Sequence, residues 1–244
     1  MFYKLRDWVC IDKLDWPNLS GNRNAIGLLT NNINKINWSV LSGNPNAMAL
    51  IENNVSWINW TWLSMNSSAV HLLKRHHDKI DWRRICLNQN LYAISLIERE
   101  QISSPRVDNK FDLLWLSSNP NAIHLLEQNP DNINWCGLSK NPAAIHLLEA
   151  NVHRIDWTML SQNPNAHALF EKNLRKLDWR WLSLNPGAVT ILEQNIEHIE
   201  WSWISRNPRA IHIIEQHLDK VNWRELSRNA AAIHILEQNI DIGS

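Results

Sequence analysis

Five histidines fall at one place in a recurring phrase: His71, His124, His146, His212 and His234. Imidazoles at fixed spacing invite two chemistries. The first is metal coordination, and it fails on distance. Packed helices lie roughly 8–10 Å apart, whereas a zinc ion needs its ligands at about 2 Å. The second is nucleophilic catalysis by a Ser–His pair, because Ser20, Ser42, Ser64 and their counterparts recur nine times at a second fixed place. Acyl transfer needs one privileged constellation with an orienting acid, and a feature written nine times is scaffold. The serines read as turn hydrogen-bond partners. The histidines read as a half-exposed stripe beside the next helix, with partner contact or pH sensing as the alternative. Cys10, Cys86 and Cys136 are far apart, without metal-ligand spacing, and read as free thiols in a reducing compartment. The expectation is no catalytic residue, no metal site, no cofactor and no enzyme activity.

The composition points the same way. The chain has 244 residues, 44% of them apolar, which is enough for a core. Lys+Arg and Asp+Glu both number 24, so the net charge is zero, which argues against a chain whose main task is to coat DNA or an acidic membrane. The opening MFYKLRDWVC lacks the apolar run of a secretory leader, and no stretch reaches the length of a membrane span. A cytoplasmic setting is expected. The anomaly is 15 Trp against 2 Tyr and 3 Phe, so indole is selected specifically.

The tryptophans explain themselves by spacing. Trp16, Trp38, Trp60 and Trp82 are 22 residues apart, and so are Trp135, Trp157, Trp179, Trp201 and Trp223. Leu113 takes the place of the missing member. A fixed short period is the signature of a solenoid. Numbered from its Trp, each of ten units reads W-x-x-L-S-x-N-P-x-A-I-x-L-L-E-x-N-x-x-x-I-[DN]. The Asp or Asn before the Trp suits a helix N-cap. The helix it opens, W-x-x-L-S, is short enough to be 3₁₀. An Asn at position 7 follows in all ten units: Asn22, Asn44, Asn66, Asn90, Asn119, Asn141, Asn163, Asn185, Asn207 and Asn229. Pro follows it in six, and Asn-Pro is a start signal for a second helix of about nine residues. An Asn at position 17 is placed to end that helix in the left-handed conformation. Position 10 is always Ala, from Ala25 to Ala232, which implies close approach of a neighbouring helix. The Trp column is expected to pack as a ladder of indoles inside the stack.

The phrase L-S-x-N-P-x-A-I-x-L-L-E resembles the leucine-rich variant repeat, in which a short α-helix alternates with a 3₁₀ helix. The fuller W-x-x-L-S-x-N-P-x-A-I-x-L-L-E-x-N is similar to tandem-repeat proteins of giant DNA viruses of protists. The resemblance covers nearly the whole chain. It implies architecture and origin, with the host cytoplasm or the virion as the setting, and no particular activity.

Consensus positions build such a scaffold and variable ones face a partner. Position 3 holds Trp62, Trp115, Trp181 and Trp203, but also Asn18, Val40, Arg84, Gly137, Met159 and Glu225. Trp181 with Trp203, and Trp57 with Trp62, are candidate aromatic patches for a protein partner. Extra packing of the short helix is the competing reading. Glu at position 15 is unfavourable to the helix dipole and is expected to pair with the mostly basic position 20: Lys35, Lys79, Lys110, Arg154, Lys176 and Lys220. Arg180, Arg206, Arg209, Arg224 and Arg228, with Lys140, form a basic patch that suits an acidic protein or nucleic acid. Nucleic acid is disfavoured by the zero net charge.

The fourth and fifth units break pattern. Two residues read as added before Asn90, and seven more fall between Glu98 and Leu113, around Ser103-Ser104-Pro105. The expected layout is an N-terminal cap over 1–12, four repeats over 13–98, an inserted loop over 99–110, six repeats over 111–239 and a tail over 240–244. The tail is a thin cover for the last core face and leaves room for end-to-end self-association. The fold expected is all-α, a right-handed solenoid of ten 22-residue two-helix repeats. The function expected is non-catalytic binding of a host or viral protein. The alternatives are a virion or assembly component binding its own kind, and nucleic-acid binding through the arginines.

Overall fold

The Asp or Asn ahead of each tryptophan opens a helix because its side chain accepts amides that the first turn leaves free. In the computed structural model, which describes residues 10–103 and 110–239, Asn37 accepts from the Val40 amide at 3.1 Å. Asp112 accepts from Trp115 and Asp156 from Met159, each at 3.0 Å. Glu200 stands at the same place and its longer side chain makes no such bond. The helices so opened have four to six residues, among them Trp38–Ser42, Trp60–Met65, Leu113–Ser118, Trp157–Leu160 and Trp179–Leu184. They are α-helical; Arg84–Leu87 is the 3₁₀ exception.

The second helix starts later than the Asn-Pro signal implies. Asn44 caps the Asn46 amide at 3.1 Å, yet the residues it caps, Pro45–Ala47, form a 3₁₀ turn. The α-helix begins at position 11, as in Met48–Glu52, Ile145–Ala150 and Val189–Gln194. A third helical piece follows at positions 18 to 20: Ile33–Lys35, Val55–Trp57, His77–Lys79, Val152–Arg154, Leu174–Lys176 and Ile196–His198. It is here, and not in W-x-x-L-S, that the tight helix of the repeat lies. The expected left-handed residue at position 17 is also absent. Asn54 has φ −137° and ψ 48°, and its side chain donates to the Leu50 carbonyl at 2.8 Å. That bond satisfies an orphan carbonyl of the helix end with no positive φ.

The described residues contain no strand. They divide into two compact units, Met1–Pro130 and Asp131–Ser244. Within the first, Trp16–Gly21 packs on Trp38–Ser42, which packs on Trp60–Met65, then Arg84–Leu87, then Leu113–Ser118. Within the second, Trp135–Ser139 packs on Trp157–Leu160, Trp179–Leu184 on Trp201–Ile204, and His167–Glu171 on Val189–Gln194. Elements therefore pack in sequence order. The buried columns are position 4 (Leu63, Leu182), position 10 (Ala69, Ala188) and position 14 (Leu73, Leu192), all at zero exposure.

The tryptophans of position 1 are not interior. Trp16, Trp38, Trp60, Trp82, Trp135, Trp157, Trp179, Trp201 and Trp223 are each half-buried. All but Trp82, which precedes Arg84–Leu87, stand at the first residue of a helix, at the margin of the core. In four repeats a residue from the 3₁₀ piece, Trp57, Arg154, Lys176 or His198, covers part of the indole.

The irregular repeats fit differently from expectation. Asn88, not Asn90, occupies position 7: its side chain donates to the Ser64 carbonyl at 2.9 Å and the Asn66 carbonyl at 3.1 Å. Asn90 is a position-9 residue, bonded to the Ser67 carbonyl at 2.9 Å as Asn46 is to Arg23 at 3.1 Å. The two added residues are thus Leu91 and Tyr92, which follow Asn90 and form the first turn of a helix, Leu91–Ser103. That helix runs through residues 99–103, where a loop is expected. Residues 104–109 of the insertion, most of the 1–12 cap and the 240–244 tail lie outside the described residues.

Candidate functional site

The invariant polar residues are consumed in joining repeats. Most of the position-7 asparagines use both ends of the amide. Asn185 accepts the Gly187 amide at 2.8 Å and donates to the carbonyls of Ser161 at 2.9 Å and Asn163 at 3.0 Å, one repeat earlier. Asn163 does the same toward Ser139 and Asn141, and Asn207 toward Ser183 and Asn185. Asn119 reaches across the longer fourth unit to Cys86 and Asn88, both at 2.9 Å. Asn141 is likewise buried and caps the Ala143 amide at 3.0 Å. The position-5 hydroxyl is a second tie. Ser161 donates to the Trp157 carbonyl at 2.8 Å and accepts the Asp178 amide at 3.0 Å. A hydroxyl with both roles filled is a structural group, and no imidazole activates it.

Cys86 replaces this serine. Its thiol donates to the Trp82 carbonyl at 3.4 Å, and burial pushes its pKa up to about 12 although the Asp112 backbone amide works against the shift. Burial, and then the Asp156 carboxylate, push the Cys136 thiol up as well.

Three members of the histidine stripe have a definite partner. His71 meets Glu52, His212 meets Glu193, and His234 meets Glu215 at 2.7 Å, each Glu lying one repeat earlier. These glutamates were expected to take the bases of position 20. Four of those bases turn instead onto the indole of their own repeat, whereas Lys35 pairs with Asp12 at 3.3 Å and Lys79 with Asp78 at 3.5 Å. Arg154 lies 5.0 Å from the Trp135 ring, Lys176 4.7 Å from Trp157, and Lys220 5.3 Å from Trp201. Lys110 lies 4.7 Å from Trp82 and also pairs with Glu100. Where position 20 is aromatic the geometry is kept by stacking: His198 on Trp179 at 4.7 Å and Trp57 on Trp38 at 6.1 Å. Half-buried indoles and half-exposed cations satisfy one another here at about 0.5–1 kcal/mol per pair.

This placement separates the candidate contact residues. Trp181 and Trp203, on adjacent repeats, come together as expected, edge to face, 5.0 Å apart at 67°. Both keep part of the indole exposed. Trp57 and Trp62 do not pair. Trp57 is 62% exposed and belongs to Trp38, whereas Trp62 is 42% exposed and lies across Gly43, whose added methyl would stand 3.1 Å from the ring. Trp115 is half-buried under the Arg84 guanidinium at 4.6 Å. Position 3 therefore packs on its neighbours and shows an edge to solvent at once.

The arginines are largely neutralised. Arg180 binds Asp178 at 2.9 Å, and its guanidinium holds that carboxyl below the usual carboxylate range. Arg228 reaches both oxygens of Glu225 at 3.0 Å, and Arg206 stands 3.7 Å from the same carboxylate. Arg209 and Arg224 are exposed. Lys176, Asp178, Trp179, Arg180 and Glu200 line an open groove of mixed charge.

Among the described residues no cluster of three His, Cys, Asp or Glu is placed to hold a metal, and no helix is long and apolar enough to cross a membrane. The base-over-indole pairs and the Glu–His pairs were not found from the sequence. The constant 19-residue offset between Trp and base was the signal for the first. Comparison with protein-family models, curated proteins and solved structures yields no match for this chain.

Proposed function

We propose that this chain is a non-catalytic protein-binding scaffold, built as a right-handed solenoid of its 22-residue repeats, that contacts a protein through its variable columns. The observation that carries the reading is the Trp181–Trp203 pair. It joins two adjacent repeats within a column that reads Gly137, Met159, Trp181, Trp203, Glu225, while the invariant columns are used up in holding repeats together. Paired indoles with a free edge are efficient anchors, since they bring large area at low entropy cost. Nucleic acid is less well supported, because Arg180, Arg206 and Arg228 already face carboxylates. Catalysis has no unique polar cluster among the described residues to support it. The resemblance to giant-virus repeat proteins directs the search to host and viral proteins of the cytoplasm or virion.

The test is affinity capture from a host-cell lysate, with and without nuclease. A discrete protein retained after nuclease treatment supports the reading. Retention that vanishes with nuclease overturns it in favour of Arg206, Arg209 and Arg228.

A further inference from the structure

One residue of the capping column breaks the rule that the other nine keep. From Asp15 to Asn222, the Asp or Asn ahead of position 1 accepts a backbone amide of the turn it opens. In the ninth repeat the residue is Glu200, and its carboxylate accepts none. The extra methylene carries the charge past the turn, so helix Trp201–Ile204 forgoes a bond that ordinarily stabilises a helix start. Glu200 is exposed and makes no hydrogen bond or ion pair among the described residues. A local rule broken without a structural return marks a candidate functional position.

Glu200 lines the open groove, of about 400 Å³, that also presents Lys176, Asp178 and Arg180. Those three charges are already engaged. Arg180 donates to both oxygens of Asp178, at 3.2 and 2.9 Å, and Lys176 lies over the Trp157 ring at 4.7 Å. Arg180 feels the Glu200 charge only from further off. The charge left without a direct counterpart is therefore a carboxylate. The groove is one helical turn from the indole pair. The Trp203 amide donates to the Glu200 carbonyl at 2.9 Å, and the Trp181 amide approaches the Asp178 carboxylate at 3.5 Å. An aromatic anchor site and an unmatched negative charge thus lie side by side on two adjacent repeats.

We infer that Glu200 reads a lysine or arginine of the protein partner, next to the partner residue that seats on Trp181 and Trp203. The inference rests on the proposed function and adds the chemistry of what is bound: a basic segment with an aromatic or aliphatic anchor, rather than an acidic one. A long basic side chain suits an open groove, because its apolar stem lies along the half-buried margin at Trp179 while its charged head stays wet. Such a pair at the rim contributes selectivity and salt dependence more than raw affinity, which the indoles supply.

Panning a phage-displayed library of random peptides on the full chain tests this. Peptides are kept if they bind wild type and are lost on Trp203→Ala. They are expected to be rich in Lys and Arg close to an aromatic or aliphatic residue. Glu200→Gln should weaken them about threefold, and Glu200→Lys about tenfold or more, since a like charge then faces theirs. Panning on Glu200→Lys itself should turn the selection toward Asp and Glu. Glu200→Asp restores a cap of the kind Asp178 makes and withdraws the carboxylate, so that variant should melt higher and bind more weakly. Peptides that need Trp203 yet ignore Glu200→Lys, or that are acidic, overturn the inference and leave the proposed function standing. A selection with no Trp203-dependent peptide counts against the indole pair itself, and both fall.

Discussion

The side-chain nitrogen of Asn185 lies 3.0 Å from the backbone carbonyl oxygen of Asn163, one repeat earlier, and Asn163 stands in the same relation to Asn141 at 2.9 Å. The bond repeats at the junctions of both units, as in Asn66 with Asn44 at 3.2 Å. A short helix cannot satisfy its own terminal carbonyls. Here a buried primary amide, with two donors and an acceptor, does it for the repeat before while capping its own.

Asn185→Ala should therefore be costly. It strands the Ser161 carbonyl and the Gly187 amide and leaves the Asn163 carbonyl only the Ala166 amide at 3.4 Å, for a loss of roughly 3–5 kcal/mol in chemical denaturation. The control is Asn165→Ala, which removes one exposed bond to the Pro142 carbonyl and should cost less than about 1 kcal/mol.

The indole column gives a graded pair. Trp157→Ala removes a half-buried ring and should lower stability by about 3 kcal/mol. Lys176→Gln removes the cation over that ring and should cost under about 1 kcal/mol. Equal effects would mean that the cation, not the packing, holds the ring.

Cys86 supplies a pH signature. Its folded pKa is raised from 9.0 to about 12, so the thiol contributes stability that is fully present below pH 9 and is lost as pH climbs toward 12. Cys86→Ser should flatten that alkaline decline, since a hydroxyl fills the place as Ser161 does. In thiol titration of the native chain at neutral pH, exposed Cys10 should react and Cys86 should not.

Gly187 marks a close approach. A methyl there would stand 2.0 Å from the Pro164 carbonyl oxygen, so Gly187→Ala must displace backbone at the junction. The expected cost is about 2 kcal/mol or more in thermal unfolding. An unchanged melting temperature would show that the junction yields freely.

Much of the repeat was legible because its signals are local. Asp178 as a cap and Ala188 as a close-packing residue each follow from one position and its immediate neighbours. What escaped the sequence depends on neighbours in space. Trp157 looked interior because its column is nearly constant, yet the column is constant for a margin position that needs an amphipathic ring under a cation. Glu193 looked like a partner for position 20, but its nearest imidazole, His212, sits 19 residues ahead on the adjacent repeat. In the fourth unit Asn88 and Asn90 are both asparagine, and only their carbonyl partners tell position 7 from position 9. For the candidate site, the Trp181–Trp203 pairing was readable from adjacent repeats. That Trp57 turns to Trp38 was not, because the sequence pointed position 20 at the Glu of position 15 and Trp57 at Trp62.

On the proposed function, invariant columns hold the fold while the variable column at position 3 binds. The most direct measurement is capture of the retained protein by Trp203→Ala, beside its thermal unfolding. Captured partner is expected to fall about tenfold or more, as for an interface anchor, with the melting temperature close to wild type. Undiminished capture, or a chain that unfolds when Trp203 is removed, would contradict it.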